Sequence, residues 1–188
     1  MLNYLARLGW GHGDAEVFTR EQFVAWFSLE AVSRSPAKFD PEKLKWVNAH
    51  YIKQADDARL AELAAPFLKV AGCDPAKGPD LHKVCALLKE RVNTIEGLAE
   101  EAVYFYRQLH PAEALRTQHY TAEIRPAMKV LREKLAVADW NRPGLSTAIK
   151  ETITAHSLKM PKLAMPLRMM LTGMAQTPSI DAVLELIG

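Results

Sequence analysis

At 188 residues, 49% of them hydrophobic, the chain can bury a core as one domain or two small ones, which excludes a disordered tail or linker. Its net charge of +2 is too small to mark a phosphate binder by sum alone, since such proteins usually carry a basic excess over the whole domain. Two cysteines, Cys73 and Cys85, are too few for a zinc cluster or a secreted disulfide scaffold, and they read as reduced, buried thiols of a cytoplasmic protein.

In chain order, Leu2, Leu5, Ala6 and Leu8 enter a helical pattern at once, with no preceding cap, as though cut from a larger structure. Residues 9–13 form a glycine-rich turn, and Thr19 with Gln22 has capping-box spacing before Phe23. A loop at residues 33–36 precedes Asp40 and Pro41, which read as N-cap and first helical residue. Leu60, Leu63, Ala64, Phe67 and Leu68 then share one face of a helix over about residues 57–71. Beyond a connection at 72–79, Leu81, Val84, Cys85, Leu88 and Val92 repeat the pattern, with Arg91 at the end of that helix.

Tyr104, Phe105 and Tyr106 cannot share one helix face, so at least one is core and another partly exposed, where it could stack on a base. Ile124, Ala127, Met128, Leu131 and Leu135 mark the next helix; after a connection at 141–144, Leu145, Ala148, Ile149 and Thr152 mark another. Residues 159–162 read as a basic entry to a helix starting near Ala164, and Thr177 with Pro178 repeats the cap-and-proline arrangement before Ile180. The end at Leu184, Leu186, Ile187 and Gly188 is a capped terminus or another cut. Strand alternation is lacking, so the predicted fold is all-α, and Trp10, Trp26, Trp46 and Trp140 read as core anchors.

Charge distribution is more informative than its sum. Residues 1–70 hold nine basic and nine acidic side chains, whereas Arg142, Lys150, Lys159, Lys162 and Arg168 share residues 142–178 with Glu151 alone. This excess suits an RNA or an acidic surface, and equally a solvated helix face. The six histidines lack zinc-site spacing, and no phosphate loop, nucleophile elbow or dinucleotide fingerprint occurs, so no catalytic residue and no metal ligand is assigned. The segment Lys159-Met160-Pro161-Lys162 is not read as an ATP-binding lysine loop, because no nucleotide-binding α/β pattern accompanies it. No run approaches the roughly eighteen apolar residues of a membrane span, and the start lacks signal-peptide order.

The segments LNYLARLGWGHGD, VFTREQF, VSRSPAKFDPEKLKW and NAHYI, together with LAMPLRMMLTG and the following Thr177-Pro178, bracket essentially the whole chain. In order and spacing they resemble the C-terminal part of bacterial glutamyl-tRNA synthetases. The resemblance implies a stem-contact region over residues 1–54 and a cage of two helical anticodon-binding subdomains over 55–113 and 114–188. It also implies that the catalytic fold, which uses ATP and magnesium, lies outside this chain, leaving the fragment inactive alone and without a cofactor of its own. The partner would be tRNA(Glu), with no DNA or membrane contact, and the fragment would be a monomer.

By the same resemblance, Arg91 matches the arginine that checks the first anticodon base and is associated with excluding the glutamine tRNA. Arg168 matches the arginine at the second base, with Thr177 and Pro178 beside it. Arg34, Lys43, Lys45 and Lys53 are candidate stem contacts from charge and location. The chain departs from the family pattern at Pro161 (usually glycine), Met165 (usually glutamine) and Ser179 (commonly glycine), and Met165 removes a polar side chain from the base pocket. The competing reading is a stand-alone helical interaction module whose basic face binds an acidic protein or a membrane surface.

Overall fold

The computed structural model describes residues 2–188, and among them the regular structure is helical. Its one β feature is an isolated bridge between Trp10 and Val32. The α-helices are α1 (Leu2–Ala6), α2 (Arg20–Trp26), α3 (Pro41–Gln54), α4 (Asp57–Val70), α5 (Leu81–Leu88), α6 (Ile95–Tyr106), α7 (Glu113–His119), α8 (Arg125–Leu135), α9 (Arg142–Ala155), α10 (Met160–Thr172) and α11 (Ile180–Ile187). A single 3-10 turn, Pro75–Lys77, links α4 to α5.

Local sequence sets most of these boundaries. The Thr19 hydroxyl accepts from the Gln22 amide while the Gln22 side chain accepts from the Thr19 amide, so two otherwise orphaned donors at the start of α2 are satisfied. Asp40 caps α3 through the amides of Glu42 and Lys43, with Pro41 in the first turn where no amide is needed. Asp56, Asp80 and Thr94 cap α4, α5 and α6 in the same way.

Four expectations about boundaries and faces are corrected. Leu2 and Leu5 are about half exposed, whereas Asn3 and Tyr4 are buried, so α1 turns its polar residues inward. That burial is tolerable because Asn3 is satisfied: Nδ2 donates to the Glu16 carbonyl at 2.9 Å, and Oδ1 accepts from the Phe18 amide at 3.0 Å and the Tyr51 hydroxyl at 2.7 Å. Residues 142–144 are not a connection but the first turn of α9, since Asn141 Oδ1 accepts from the Gly144 amide at 2.9 Å. Likewise α10 starts at Met160, with Pro161 accommodated in its first turn.

Finally, Leu63 and Phe67 are exposed on α4, which buries Leu60, Ala61, Ala64 and Leu68 instead. The tryptophans divide similarly. Trp10 is buried, but Trp46 is 48% exposed with Lys43 Nζ 4.4 Å above its ring, and Trp140 is 43% exposed.

Two packing centres result. Near the start, Trp10 makes edge contacts with Phe18 and Phe23, and His12 stacks on Trp26 with ring centres 4.5 Å apart. From Ile52 to Leu184 runs one continuous core in which α4, α5 and α6 pack together and α8 to α11 pack together. Leu60, Leu88, Leu98, Leu145 and Leu163 are fully buried in it. Each such leucine contributes about 1.5–3 kcal/mol relative to an exposed one. Contacts of α10 with α6 and of α11 with α5 join the two groups of helices and place residues far apart in sequence around one junction.

Candidate nucleic-acid interface

At the junction α10 packs on α6 and α11 on α5, the helices that flank the α5–α6 turn and the α10–α11 loop. Arg91 does not end α5, as its sequence position suggests. The helix stops at Leu88, where Lys89 Nζ reaches Asp57 at 2.8 Å and the Ala55 carbonyl at 3.3 Å, tying the end of α5 to the start of α4. Arg91 sits in the following turn, its amide bonded to the Leu88 carbonyl, and its side chain is about one-third exposed. Its Nε lies 4.0 Å from Oε2 of Glu101 on α6, an ion pair too long to be a hydrogen bond.

Arg168 is placed by α10, whose apolar side buries Leu163, Ala164, Leu167 and Met169. Its guanidinium has only neutral partners within bonding reach: Nε donates to Thr177 Oγ1 at 2.8 Å, and Nη1 approaches Met165 Sδ at 3.4 Å. Gly173 ends α10 in the left-handed conformation with φ of 70°, and the loop that follows carries Thr177 back across Arg168. Thr177 and Pro178 are both buried.

The expectation that Thr177 caps the last helix is therefore corrected. Its hydroxyl accepts from Arg168 and donates to the Pro178 carbonyl at 3.0 Å, leaving Ser179 at the N-cap of α11, where no side-chain capping bond forms.

Tyr104 lies on α6, in the turn after Glu101. It is 4% exposed, and burial pushes its phenol far above the ordinary range; the Glu101 carboxylate pushes it further, while Arg91 and Arg168 both pull it down. Phe105 is also buried, and Tyr106 donates its hydroxyl to the Pro79 carbonyl at 3.0 Å, so the aromatic trio is structural rather than a base-stacking platform. Glu101 and the Tyr104 hydroxyl were not singled out from sequence. An acid at 101, ten residues after Arg91 and on the next helix, was the available signal.

Beside Met165, an open cleft of about 570 Å³ is lined by His119, Lys159, Pro161 and Lys162 among others. Among the described residues no ion pair involves Lys150, Lys159 or Lys162, whereas Arg142 is paired with Glu185 at 2.9 Å. A second hollow of about 730 Å³ between α8, α10 and α11 is walled by Met128, Leu131, Leu167 and Trp140, and suits an apolar group rather than a base edge.

Of the stem-contact candidates, Lys53 reaches the α5–α6 turn of this junction through Glu90, and the others pair or lie elsewhere. Lys43 pairs with Glu16, Lys45 with Glu42 at 2.9 Å and Lys53 with Glu90 at 3.5 Å, all at the surface, while Arg34 is exposed in the loop before α3. Among the described residues no three His, Cys, Asp or Glu side chains are grouped to hold a metal, and no helix is long and apolar enough to cross a membrane.

Residues 59–188 match the family described as anticodon binding domain. The chain is 60% identical over 190 residues to the glutamate–tRNA ligase of Nitrosospira multiformis, and 57% identical over 188 residues to that of Nitrosomonas europaea. In both cases 100% of this chain is covered and 41% of the relative, so the chain spans about two-fifths of their length. Among solved structures it superposes on a glutamate tRNA ligase from Elizabethkingia meningosepticum, crystallised in complex with its amino acid, with a TM-score of 0.88 and 25% identity. That match covers 100% of this chain and 38% of the other. The helical fold also matches glutamate-tRNA synthetase from Elizabethkingia anophelis, at TM-score 0.84 and 23% identity over 100% of this chain and 37% of that one.

Proposed function

The chain belongs to the anticodon binding domain family, and on that premise we propose that it is the tRNA-recognising part of a glutamate–tRNA ligase, reading the anticodon of tRNA(Glu). Its work is recognition. An anticodon presents bases splayed out of the stack, and reading them takes donors fixed at their hydrogen-bonding edges. Arginine suits the task because its planar fork gives two parallel hydrogen bonds that a lysine cannot reproduce.

The observation that carries this reading is the packing of α10 on α6 and of α11 on α5, which brings the helices that flank Arg91 together with the helix that carries Arg168. Arg91 reads the first anticodon base from the α5–α6 turn, and Arg168 reads the second. Thr177 holds Arg168 by its Nε edge and Met165 meets Nη1 only through a weakly accepting sulfur, which leaves Nη2 unpartnered and Nη1 weakly held for the RNA, and Pro178 stiffens the loop. Lys159 and Lys162, at the cleft beside Met165, supply attraction to the phosphate backbone. Arg34, Lys43, Lys45 and Lys53 contribute weak stem contacts, since three of them must loosen a surface ion pair to reach a phosphate.

Residues 1–54 form the stem-contact region of this reading, with 55–113 and 114–188 as the two helical halves of the cage. The fragment acts as a monomer in the cytoplasm. ATP and magnesium belong to the remainder of such a ligase and enter no step assigned to these residues. Nothing in the fold favours the stand-alone interaction module.

Arg168→Lys tests the reading, because it keeps the charge and removes the fork. Binding to tRNA(Glu) should weaken by about tenfold or more, with little loss for a transcript altered at the second anticodon base. Equal weakening for both transcripts would contradict base readout by Arg168.

A further inference from the structure

Two polar atoms on α6 are buried with no hydrogen-bond partner, Oε2 of Glu101 and the hydroxyl of Tyr104. They are three residues apart and so neighbour each other on one helix face. One is an acceptor and the other can donate, yet they do not meet. Buried polar groups are rarely left in this state unless something else completes them.

Their surroundings are uneven in charge. Arg168 is held by the neutral Thr177 and Met165, whereas Arg91 alone faces a carboxylate, across a gap of 4.0 Å. A guanidinium whose Nε edge is held neither by a hydrogen bond, as Thr177 holds that of Arg168, nor by a carboxylate is free to take the nearest phosphate, and a phosphate contact carries no sequence information. A carboxylate on the Nε side leaves the outer Nη pair for a ligand and offsets the charge that draws in phosphate.

We propose that Glu101 is a positioning residue that sets the specificity of Arg91: it restrains the guanidinium from the Nε side, so that Arg91 presents its outer fork to a base edge rather than to a phosphate. The Tyr104 hydroxyl closes on Glu101 Oε2 when RNA is in place and fixes the carboxylate. This inference rests on the anticodon-reading role of Arg91 stated above.

The test uses the full 188-residue chain and compares the wild type with Glu101→Gln, Tyr104→Phe and Arg91→Gln. Dissociation constants are measured for tRNA(Glu) and for a transcript altered at the first anticodon base, over a range of salt. Glu101→Gln should reduce the ratio of the two constants by about tenfold, the scale of one lost bidentate contact. Binding to both transcripts should stay as tight or tighten, with a salt slope steeper by about one phosphate. Tyr104→Phe should reduce the ratio by about threefold, as befits one hydrogen bond.

An unchanged ratio in Glu101→Gln, whether both affinities fall together or neither moves, overturns the proposal. The double variant Arg91→Gln/Glu101→Gln should be no less discriminating than Arg91→Gln alone, because Glu101 acts through Arg91. Should Glu101→Gln fail to fold, Glu101→Asp, with its carboxylate drawn back from Arg91, is read in its place with the same criteria. If the wild type does not discriminate at that base, or Arg91→Gln discriminates fully, the reading of Arg91 fails and this inference fails with it. Loss of discrimination in Arg91→Gln but not in Glu101→Gln overturns this inference alone.

Discussion

Arg168 shows how a charged side chain is held in an apolar run without an ion pair. Thr177 takes its Nε proton and Met165 presents a soft sulfur to Nη1, so the group is oriented while its charge stays uncompensated by any acid within bonding distance. A nearby carboxylate would have offset that charge. The opposite chemistry governs Cys85, which is buried between α4 and α5 and whose thiol is pushed from 9.0 up to about 12, first by burial and then by Asp57 and Asp80. The native state holds this proton more tightly than the unfolded chain does. The contribution to stability is therefore complete below pH 9.0 and lost as pH rises toward 12. At pH 8, an alkylating reagent should leave Cys85 unmodified in the native chain and modify it in denaturant; rapid native labelling would show that the thiol is not enclosed as described.

Helix ends, more than helix interiors, decide where the recognition groups stand. Gly173 holds φ at 70°, and a Cβ there would lie 2.6 Å from Leu109 Cβ, so the turn that returns Thr177 to Arg168 requires glycine twice over. Gly173→Ala should lower unfolding stability by about 1–3 kcal/mol in a denaturant titration, and an unchanged midpoint would mean that the turn relaxes freely.

Capping signals for α2 and α3, and the apolar spacing of α5, α8 and α9, were readable in the sequence because they depend on neighbours three or four residues away. Pairings over longer separations were not. Asn3 is buried by partners on Glu16, Phe18 and Tyr51, and Thr177 is diverted from capping by an arginine nine residues earlier. The apolar spacing in the first helix pointed the wrong way for that reason. Helix α7 carries no side-chain cap, and α6 was not singled out although Thr94 before Ile95 is an N-cap signal for it.

Across the whole molecule, one core extends from Ile52 to Leu184 and packs α10 on α6 and α11 on α5, the helices that flank the α5–α6 turn and the α10–α11 loop. On the proposed reading rigidity matters, because donors held in place before binding lose little entropy when a base arrives. Arg91, Arg168, Thr177 and Pro178 were named through a resemblance in motif order. Tyr104 was named only as one of three rings that could stack on a base; its unsatisfied hydroxyl and the unsatisfied Oε2 of Glu101 emerged in three dimensions, since an unsatisfied buried atom leaves no trace in residue spacing. The basic excess late in the chain was visible, but its partial cancellation by Glu185 at Arg142 was not.

The central claim is that this helical frame reads anticodon bases while phosphates supply affinity. Titration of the chain with tRNA(Glu), and with a transcript altered at the second anticodon base, across a salt series separates the two contributions. The account predicts a difference of about 1–3 kcal/mol between the transcripts, and a log–log salt slope of about −0.7 to −0.9 for each phosphate neutralised. Equal affinity for both transcripts at every salt concentration would contradict it.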